Sequence, residues 1–396
     1  MKLLVVVSSL DLTQPFSSTP SWWQLLKGLY ELGIEVIAAP YQGPMIETLW
    51  WRGLPNPCQA EGDLFKSARG VLRRWGRHSG APTSGETLSD RAVRSLAHAY
   101  IRPKWERHLS WFLGRERDVD AVLFLTVPLN HLTGLPSALK RRFDVPMIYY
   151  DGDVPASLPS FAGFATGFKI YPGADVSEYD LTLSNSKGGC EELRAMGARD
   201  VRTLYYAADP DVYSPLDLLQ DIDVFFYGHT TEYRREWLEG MITLPSQALP
   251  AARFAVRGSG LDMDLGRAER LPYLSFSKLR EYICRSKIVL NITRRAHASV
   301  HASSTARIFE LAALGCCVVS NPVAGLEEWF EPGREMLVVH DAVEATETIR
   351  RLLADEATRR EIGRRARERF LAEHTCLYRA RELADYISSI KSVKEH

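Results

Sequence analysis

The stretch from Ser303 to Val339 constrains the fold of this chain most, because it predicts helices and strands in strict alternation. Ser303, Ser304 and Thr305 are residue types that cap helices, and they stand directly before a helical run that Gly315 can end. An apolar strand, a glycine-containing turn, a short helix and a final strand follow. This order is typical of an α/β domain built on a parallel sheet.

The start of the first of these helices has the chemistry of an anion-binding site. A helix N-terminus offers unpaired N–H groups and a partial positive charge. Arg307 lies in the first turn, where a cation is unfavourable unless a bound anion neutralises it, and Glu310 follows on the same face. Amides, hydroxyls, a guanidinium and a carboxylate together suit a nucleoside diphosphate. The alternative is that Arg307 and Glu310 form only an ion pair on a surface helix.

The motif R-x-F-E-L-A-A-L-G, the apolar strand and then GLEEWFEPGREMLVV resemble the donor-binding half of GT-B glycosyltransferases. More narrowly, they resemble the CgeB-like (spore maturation protein-like) branch of the group 1 enzymes. The resemblance covers about residues 221–386. It implies an α/β fold of two Rossmann-like domains whose parallel sheets face each other across a cleft. It also implies that Glu310 accepts hydrogen bonds from the donor ribose, while Arg307, Ser303, Ser304 and Thr305 hold the pyrophosphate.

The chain departs from this family at Ala302. Many group 1 retaining enzymes carry a second acidic residue at this position, two helical turns before the ribose glutamate. The carboxylate that accompanies the donor sugar is therefore missing here. The resemblance leaves open whether the reaction retains or inverts the anomeric configuration.

Strand-like apolar runs recur along both halves of the chain. We expect strands at 3–8, 34–40, 121–127, 146–152 and 181–186, and then at 223–228, 253–258, 287–292, 316–321 and 336–339. The segment from Asp209 to Pro215 resembles a linker. These runs predict two domains, at 1–215 and 216–376, and a C-terminal helix at 377–396. The resemblance implies that the first domain binds the acceptor, that the second binds the donor and that the helix crosses back to the first domain.

Further candidates for donor binding follow strands of the second domain. Tyr227, Gly228 and His229 come at the end of its first strand, where the glycine lets backbone approach a ligand closely. Arg257 ends the next strand, and Arg294 lies in a basic loop before the phosphate-binding helix. Such a loop can balance the charge of a departing diphosphate. The alternatives are a histidine bonded only to backbone and arginines that are simply solvated.

Candidates for a general base lie in the first domain. Asp151 and Asp153 follow a predicted strand, and His131 follows another. A carboxylate or imidazole there can accept the proton of an acceptor hydroxyl. The alternatives for the acidic pair are a capped turn or a metal site. Because a helix dipole and arginines can stabilise the diphosphate, we expect no metal and no other cofactor.

Composition excludes several classes of partner. Forty-nine basic and 49 acidic residues cancel, so no overall field favours nucleic acid. Six cysteines without CxxC spacing predict reduced core residues in a cytoplasmic protein. The opening apolar run is too short for a signal peptide or a membrane span. Residues 64–77 form a basic segment with apolar residues, which predicts either peripheral contact with a membrane or an anionic acceptor, or a solvated packed helix.

The resemblance therefore implies an enzyme, a glycosyltransferase and more narrowly a hexosyltransferase. It would move a sugar from a nucleoside-diphosphate sugar to a hydroxyl of a carbohydrate, glycan or other acceptor. Two alternatives stay open. One is a nucleotide-sugar epimerase or hydrolase on the same fold. The other is a non-catalytic partner of another transferase, which would explain the missing acid at Ala302.

Overall fold

The structure is a computed structural model that describes residues 1–10, 20–63, 88–161, 170–229, 234–260 and 262–394. The predicted basic segment 64–77 lies outside the described residues. The chain forms two compact units. Unit 1 comprises Met1–Gln14, Leu26–Leu204 and Ala380–His396, and unit 2 comprises Pro15–Leu25 and Tyr205–Arg379.

Unit 1 is built on a seven-stranded parallel sheet. Its strands are β1 Lys2–Ser9, β2 Glu35–Gln42, β3 Arg52–Gly53, β4 Ala121–Leu125, β5 Met147–Asp151, β6 Leu181–Ser184 and β7 Val201–Thr203. They lie in the order β3-β2-β1-β4-β5-β6-β7. The central strands β4, β5 and β6 are buried at every residue. Burial on both faces explains why these strands are near-continuous apolar runs in the sequence.

The helices of unit 1 lie between these strands along the chain. They are α1 Ser21–Glu31, which begins in the unit 2 segment Pro15–Leu25, and then α2 Leu88–Leu96, α3 Arg102–Arg115, α4 Leu135–Phe143 and α5 Cys190–Ala195. A π-helical turn, Ala97–Ile101, joins α2 to α3, and 3₁₀ turns lie at Leu129–His131, Pro159–Phe161 and Val176–Glu178. Pro103 stands in the first turn of α3, where its missing N–H costs no hydrogen bond. The π turn therefore ends just before this proline.

Unit 2 is built on a six-stranded parallel sheet. Its strands are β8 Ile222–His229, β9 Phe254–Ser259, β10 Glu269–Leu271, β11 Ser286–Asn291, β12 Val318–Ser320 and β13 Leu337–Val338. The order is β10-β9-β8-β11-β12-β13, so the strand order reverses between β8 and β11. Open parallel sheets bind ligands beyond the carboxyl ends of the strands at such a reversal.

The first four helices of unit 2 are α6 Arg234–Leu238, α7 Leu244–Ala248, α8 Phe276–Cys284 and α9 Arg295–Ser299. They continue with α10 Ala306–Ala313, α11 Ala342–Ala354, α12 Glu356–Glu373 and α13 Cys376–Lys394, the last of which runs into unit 1. A π turn lies at Glu239–Thr243 and a 3₁₀ turn at Leu326–Glu328. Gly315 takes the left-handed conformation (φ 68°) just past α10, as its position in the sequence predicts.

The two parallel sheets confirm the predicted α/β architecture. Three short strands, β3, β7 and β10, were not predicted, because two or three residues give no periodicity to detect. The strand predicted at 316–321 is only Val318–Ser320, and Cys316 and Cys317 are buried residues that precede it. All six cysteines are free thiols. Across the described parts of the chain, no helix is long and apolar enough to span a bilayer.

Candidate functional site

Arg307 lies in the first turn of α10, beside the ends of β8 and β11. Its Nη1 donates a hydrogen bond to the carbonyl of Ile292 at 3.2 Å. Its guanidinium carbon lies 4.9 Å from the centre of the Tyr227 ring and 5.6 Å from that of Phe226. Its Nε is buried and has no hydrogen-bond partner. The guanidinium is therefore held by aromatic faces and one carbonyl, with donors left for an anion.

Gly228 makes this position of Arg307 possible. A Cβ at residue 228 would lie 2.9 Å from Nη2 of Arg307 and 2.9 Å from the Phe226 ring. Both distances are shorter than real Cβ contacts, so any side chain at this position would displace the guanidinium or the buried ring. The sequence suggested a glycine that lets a ligand approach, and the structure shows that it admits Arg307.

Glu310 is buried, with 3% of its surface exposed. The hydroxyl of Tyr213 donates to its Oε1 at 2.8 Å, and the hydroxyl of Tyr227 donates to its Oε2 at 3.4 Å. Burial raises the pKa of this carboxyl, while Tyr213, the charge of Arg307 and Tyr227 act in the opposite direction. Since Glu310 is buried and bonded to tyrosines, it is not half of a surface ion pair. A carboxylate oxygen can accept two hydrogen bonds, and each oxygen of Glu310 accepts one from a tyrosine, so both keep capacity for a ligand hydroxyl.

The hydroxyl residues before α10 do not cap it in the expected way. Thr305 occupies the N-cap position in extended conformation, but its side chain makes no capping hydrogen bond. Ser303 donates to the carbonyl of Val300 at 2.8 Å, and Ser304 accepts from the N–H of Tyr206 at 3.0 Å. The hydroxyls of the two serines thus hold neighbouring loops in place. The first amides of α10 receive no cap from Thr305, as an anion-binding helix end requires.

Ala302, where the family carries an acid, is part of the hydrophobic core. Its backbone is left-handed (φ 47°), and its N–H donates to the carbonyl of Ala324 at 2.8 Å. Gly325 packs so closely that a Cβ on it would lie 2.4 Å from the nitrogen of Ala302. The position is therefore shaped for a small apolar residue.

The other predicted donor residues have separate contacts. Arg294 donates from Nε to Nδ1 of His297 at 3.0 Å. His297 is buried, and burial together with the charges of Arg294 and Arg234 holds its pKa well below the usual value, so the imidazole is neutral. The guanidinium of Arg257 lies over the ring of Tyr273 at 5.0 Å. The backbone of His229 ends β8, but its side chain lies outside the described residues.

A buried polar network at the ends of β11 and β12 was not predicted from the sequence. Nδ2 of Asn291 donates to Oγ of Ser320 at 2.9 Å, and the N–H of Thr293 donates to Oδ1 of Asn321 at 2.8 Å. These bonds fix the loop after β11, which carries the Ile292 carbonyl that holds Arg307. Asparagine and serine next to apolar strands are the signal that points to such a network.

In unit 1, Asp151 is fully buried at the end of β5. Its Oδ2 accepts hydrogen bonds from Ser157 Oγ at 2.5 Å and from the Tyr171 hydroxyl at 2.6 Å, and its Oδ1 accepts from the N–H of Asp153 at 2.9 Å. Burial raises the pKa of Asp151 to about 6, although Ser157, Tyr171 and the Asp153 amide act against this rise. These contacts are those of a capped turn. The role of Asp151 as a base stays a prediction.

Asp153 and His131 are more accessible than Asp151. Asp153 is half-buried. His131 is half-buried as well, and its Nδ1 lies 2.7 Å from the hydroxyl of Tyr41. Burial and the nearby His98 lower the pKa of His131 to about 4, which makes it a weak base. Among the described residues, no group of three or more His, Cys, Asp or Glu side chains could hold a metal ion.

Several solved structures share the fold of this chain. The chain has the fold of sucrose-phosphate synthase from Thermosynechococcus elongatus, with a TM-score of 0.65 at 13% identity over 99% of each chain. HepE from Anabaena, in complex with UDP and glucose, gives 0.60 at 12% identity and covers 98% of this chain and 100% of that one. Trehalose-6-phosphate from E. coli, bound with UDP-2-fluoro glucose, gives 0.59 at 12% identity, covering 98% and 99%.

No curated protein sequence matches the chain significantly. The profile of the family described as glycosyl transferase-like does match it, over residues 234–385. That range includes α10 with Arg307 and Glu310. The match and the fold confirm the predicted glycosyltransferase and its GT-B architecture. Residues 234–385 thus match the glycosyl transferase-like family, within a chain that has the GT-B fold.

Proposed function

We propose that this protein transfers a hexosyl group from a nucleoside-diphosphate sugar, bound by unit 2, to a hydroxyl of a carbohydrate, glycan or other acceptor. One observation carries the proposal. Arg307 presents a guanidinium whose Nε is buried without a partner, at the first turn of α10 and at the strand reversal of the sheet. A diphosphate is the anion that suits this place, because Glu310 lies one helical turn further along.

The diphosphate end of the donor lies against Arg307 and the first amides of α10. Charge builds up on the diphosphate as the bond to the sugar breaks, and preorganised donors stabilise that charge without rearrangement. Arg294 and Arg257 add positive charge at the ends of the neighbouring strands. In this proposal the protein supplies the stabilisation through its own groups, and neither a metal nor another cofactor is needed.

The ribose end of the donor lies against Glu310. Two of the similar structures were determined with UDP and glucose or with UDP-2-fluoro glucose, which supports a nucleotide sugar as the ligand class. A buried carboxylate forms strong hydrogen bonds with hydroxyls because no water competes for it. The likeness of the Arg307–Glu310 motif to the CgeB-like branch supports this narrower assignment within the proposal.

The acceptor is assigned to unit 1. Asp151, the last residue of β5, or Asp153 is the base there if the reaction inverts. A cytoplasmic enzyme fits the free thiols. Nucleic acid is a poor acceptor for a chain without net charge. Peripheral membrane contact through residues 64–77 remains a part of the proposal that rests on sequence alone.

Calorimetric titration of UDP, ADP and GDP, with the matching monophosphates and nucleosides, tests the proposal. Arg307→Gln should weaken diphosphate binding by about 10-fold to 150-fold, the value of a hydrogen bond to a charged group. Nucleosides should weaken much less, because they offer no phosphate oxygen. Arg253→Gln is the matched control, since Arg253 is a 40% exposed arginine of the same unit that pairs with Asp221 and Glu269.

Two results would contradict the proposal. One is a chain that binds none of these ligands, which would favour a non-catalytic partner. The other is an equal loss for diphosphates and nucleosides in Arg307→Gln, which would assign Arg307 to folding. Incubation with nucleotide sugars in the absence of an acceptor distinguishes the remaining alternative, because an epimerase would form new sugar isomers.

A further inference from the structure

Tyr213 is a buried tyrosine outside every strand and helix of unit 2, yet its hydroxyl reaches the carboxylate of Glu310. It is 2% exposed and donates to Oε1 at 2.8 Å. Its ring meets the ring of Phe276 edge to face, with 5.4 Å between centres. A hydrogen bond this short, between two buried groups that are 97 residues apart in the chain, ties the segment before β8 to α10.

The backbone around Tyr213 is fixed by bonds that do not involve Glu310. The N–H of Tyr213 donates to the carbonyl of Asp209 at 2.9 Å. Arg280, from α8, donates from Nε to the carbonyl of Ser214 at 2.8 Å. The phenol is therefore held in place before any ligand arrives, and the orientation of the Glu310 carboxylate follows from it.

Tyr213 also affects the charge of Glu310. Burial disfavours the ionised carboxyl and raises its pKa, and three groups oppose burial: Tyr213 first, then the positive charge of Arg307, then Tyr227. Tyr227 lies further from the carboxylate than Tyr213 does, at 3.4 Å against 2.8 Å. Tyr213 is thus the main hydrogen-bond donor that keeps this acid able to accept from a ligand.

We propose that Tyr213 is a positioning residue for the donor, which holds the Glu310 carboxylate oriented to accept hydrogen bonds from the ribose hydroxyls. The inference rests on the proposed function, because it assigns the ribose to Glu310. It predicts that loss of the phenol hydroxyl impairs binding of the nucleoside part of the donor through Glu310, without any contact between Tyr213 and the phosphates.

Tyr213→Phe tests this, because it removes only the hydroxyl and keeps the ring packed on Phe276. Losing this hydrogen bond removes the first of the groups that favour the ionised carboxylate, so the pKa of Glu310 should rise further. Protonated Glu310 is a poorer acceptor, so as the pH is lowered, binding of UDP should begin to weaken at a higher pH in Tyr213→Phe than in the unchanged protein. The quantity to follow is the dissociation constant of UDP for Tyr213→Phe divided by that for the unchanged protein. Titration of the phosphate cancels in this ratio. We expect this ratio to rise as the pH is lowered, by about 10-fold, the lower value of a hydrogen bond to a charged group.

Tyr282→Phe is the matched control. It also removes one phenol hydroxyl from unit 2, but the ring of Tyr282 packs against Phe225, so the ratio should not change with pH. A flat ratio for Tyr213→Phe would overturn the inference, as would the same pH profile in Tyr282→Phe. If Tyr213→Phe melts much lower, its binding is still measured below its own transition, where the ratio keeps its meaning.

Glu310→Gln separates this inference from the proposed function. If Glu310→Gln binds UDP normally, the ribose role of Glu310 fails and the inference fails with it. If Glu310→Gln weakens binding and Tyr213→Phe does not, only the role of Tyr213 fails. If both substitutions weaken binding of UDP, Tyr213→Phe should add no pH dependence to a chain that already carries Glu310→Gln, because no carboxyl remains at position 310 to titrate.

Discussion

The buried carboxyl of Asp151 should make unit 1 less stable as pH rises through the weakly acidic range. Asp151 has no exposed surface, and burial raises its pKa from 3.8 to about 6 in the folded state. Between these values the unfolded chain has lost the proton while the folded chain keeps it. The free energy of unfolding therefore falls with rising pH across this window, by about 3 kcal/mol in total, and stays at the lower value above it.

Asp151→Asn removes the titrating group and isolates this effect. Other carboxyls in the chain act in the opposite direction, among them Asp221, whose pKa is lowered to about 2 first of all by Arg285. Their contributions are shared by both proteins and cancel in the difference. The unfolding free energy of the unchanged protein minus that of the variant should fall by about 3 kcal/mol between pH 4 and pH 6.5.

Urea denaturation at several pH values measures this difference. Asp175→Asn serves as the reference, because Asp175 also accepts hydrogen bonds in a turn, from Ser177, but lies at the surface. A difference for Asp151→Asn that rises with pH would refute the reasoning, and so would one that follows the Asp175→Asn profile. The role of the residue is decided by turnover: normal turnover per folded molecule assigns Asp151 to the turn, and a loss of two or more decades assigns it to catalysis.

Two further predictions concern Gly228 and Asp153. Gly228→Ala should weaken UDP binding about 10-fold by displacing Arg307. The control Gly240→Ala should leave UDP binding unchanged and raise the free energy of unfolding by about 0.5–1 kcal/mol, because its Cβ would meet Ala342 only at 3.7 Å. Equal losses of UDP binding in the two variants would contradict this prediction. Asp153→Asn should cut turnover by roughly two to four decades with donor affinity intact, and normal single-turnover rates would place the base elsewhere.

The sheets and helices of this chain could be predicted because their signals are local. A strand buried on both faces requires a run of apolar residues, and β4, β5 and β11 lie within a residue or two of the predicted positions. The α10 helix was predicted from hydroxyl residues before it and Gly315 after it. Short strands at sheet edges carry too few residues for such a signal, which is why β3 and β10 were missed.

The candidate site could be predicted only in part, because many of its contacts join residues far apart in sequence. Arg307 and Glu310 were found because they share one helix turn. The partners of Glu310 come from the segment before β8 and from β8 itself, and nothing in the sequence pairs Tyr213 or Tyr227 with that carboxyl. Likewise, the donors that occupy Asp151 include Tyr171, which lies 20 residues away across loops. Burial and partners of this kind follow from tertiary packing, which a motif does not record.

The absent acid at Ala302 is better understood from its surroundings than from the motif. Three features fit one another: a buried methyl side chain, a left-handed backbone, and Gly325 packed against the Ala302 nitrogen. A carboxylate placed there would enter a hydrophobic cluster, at the cost of burying an unpaired charge. A single substitution would therefore not recreate the acidic position of the retaining enzymes. In the proposed function, positive groups meet the charge that develops on the departing diphosphate, and Arg307, in the first turn of α10, is the candidate for this role.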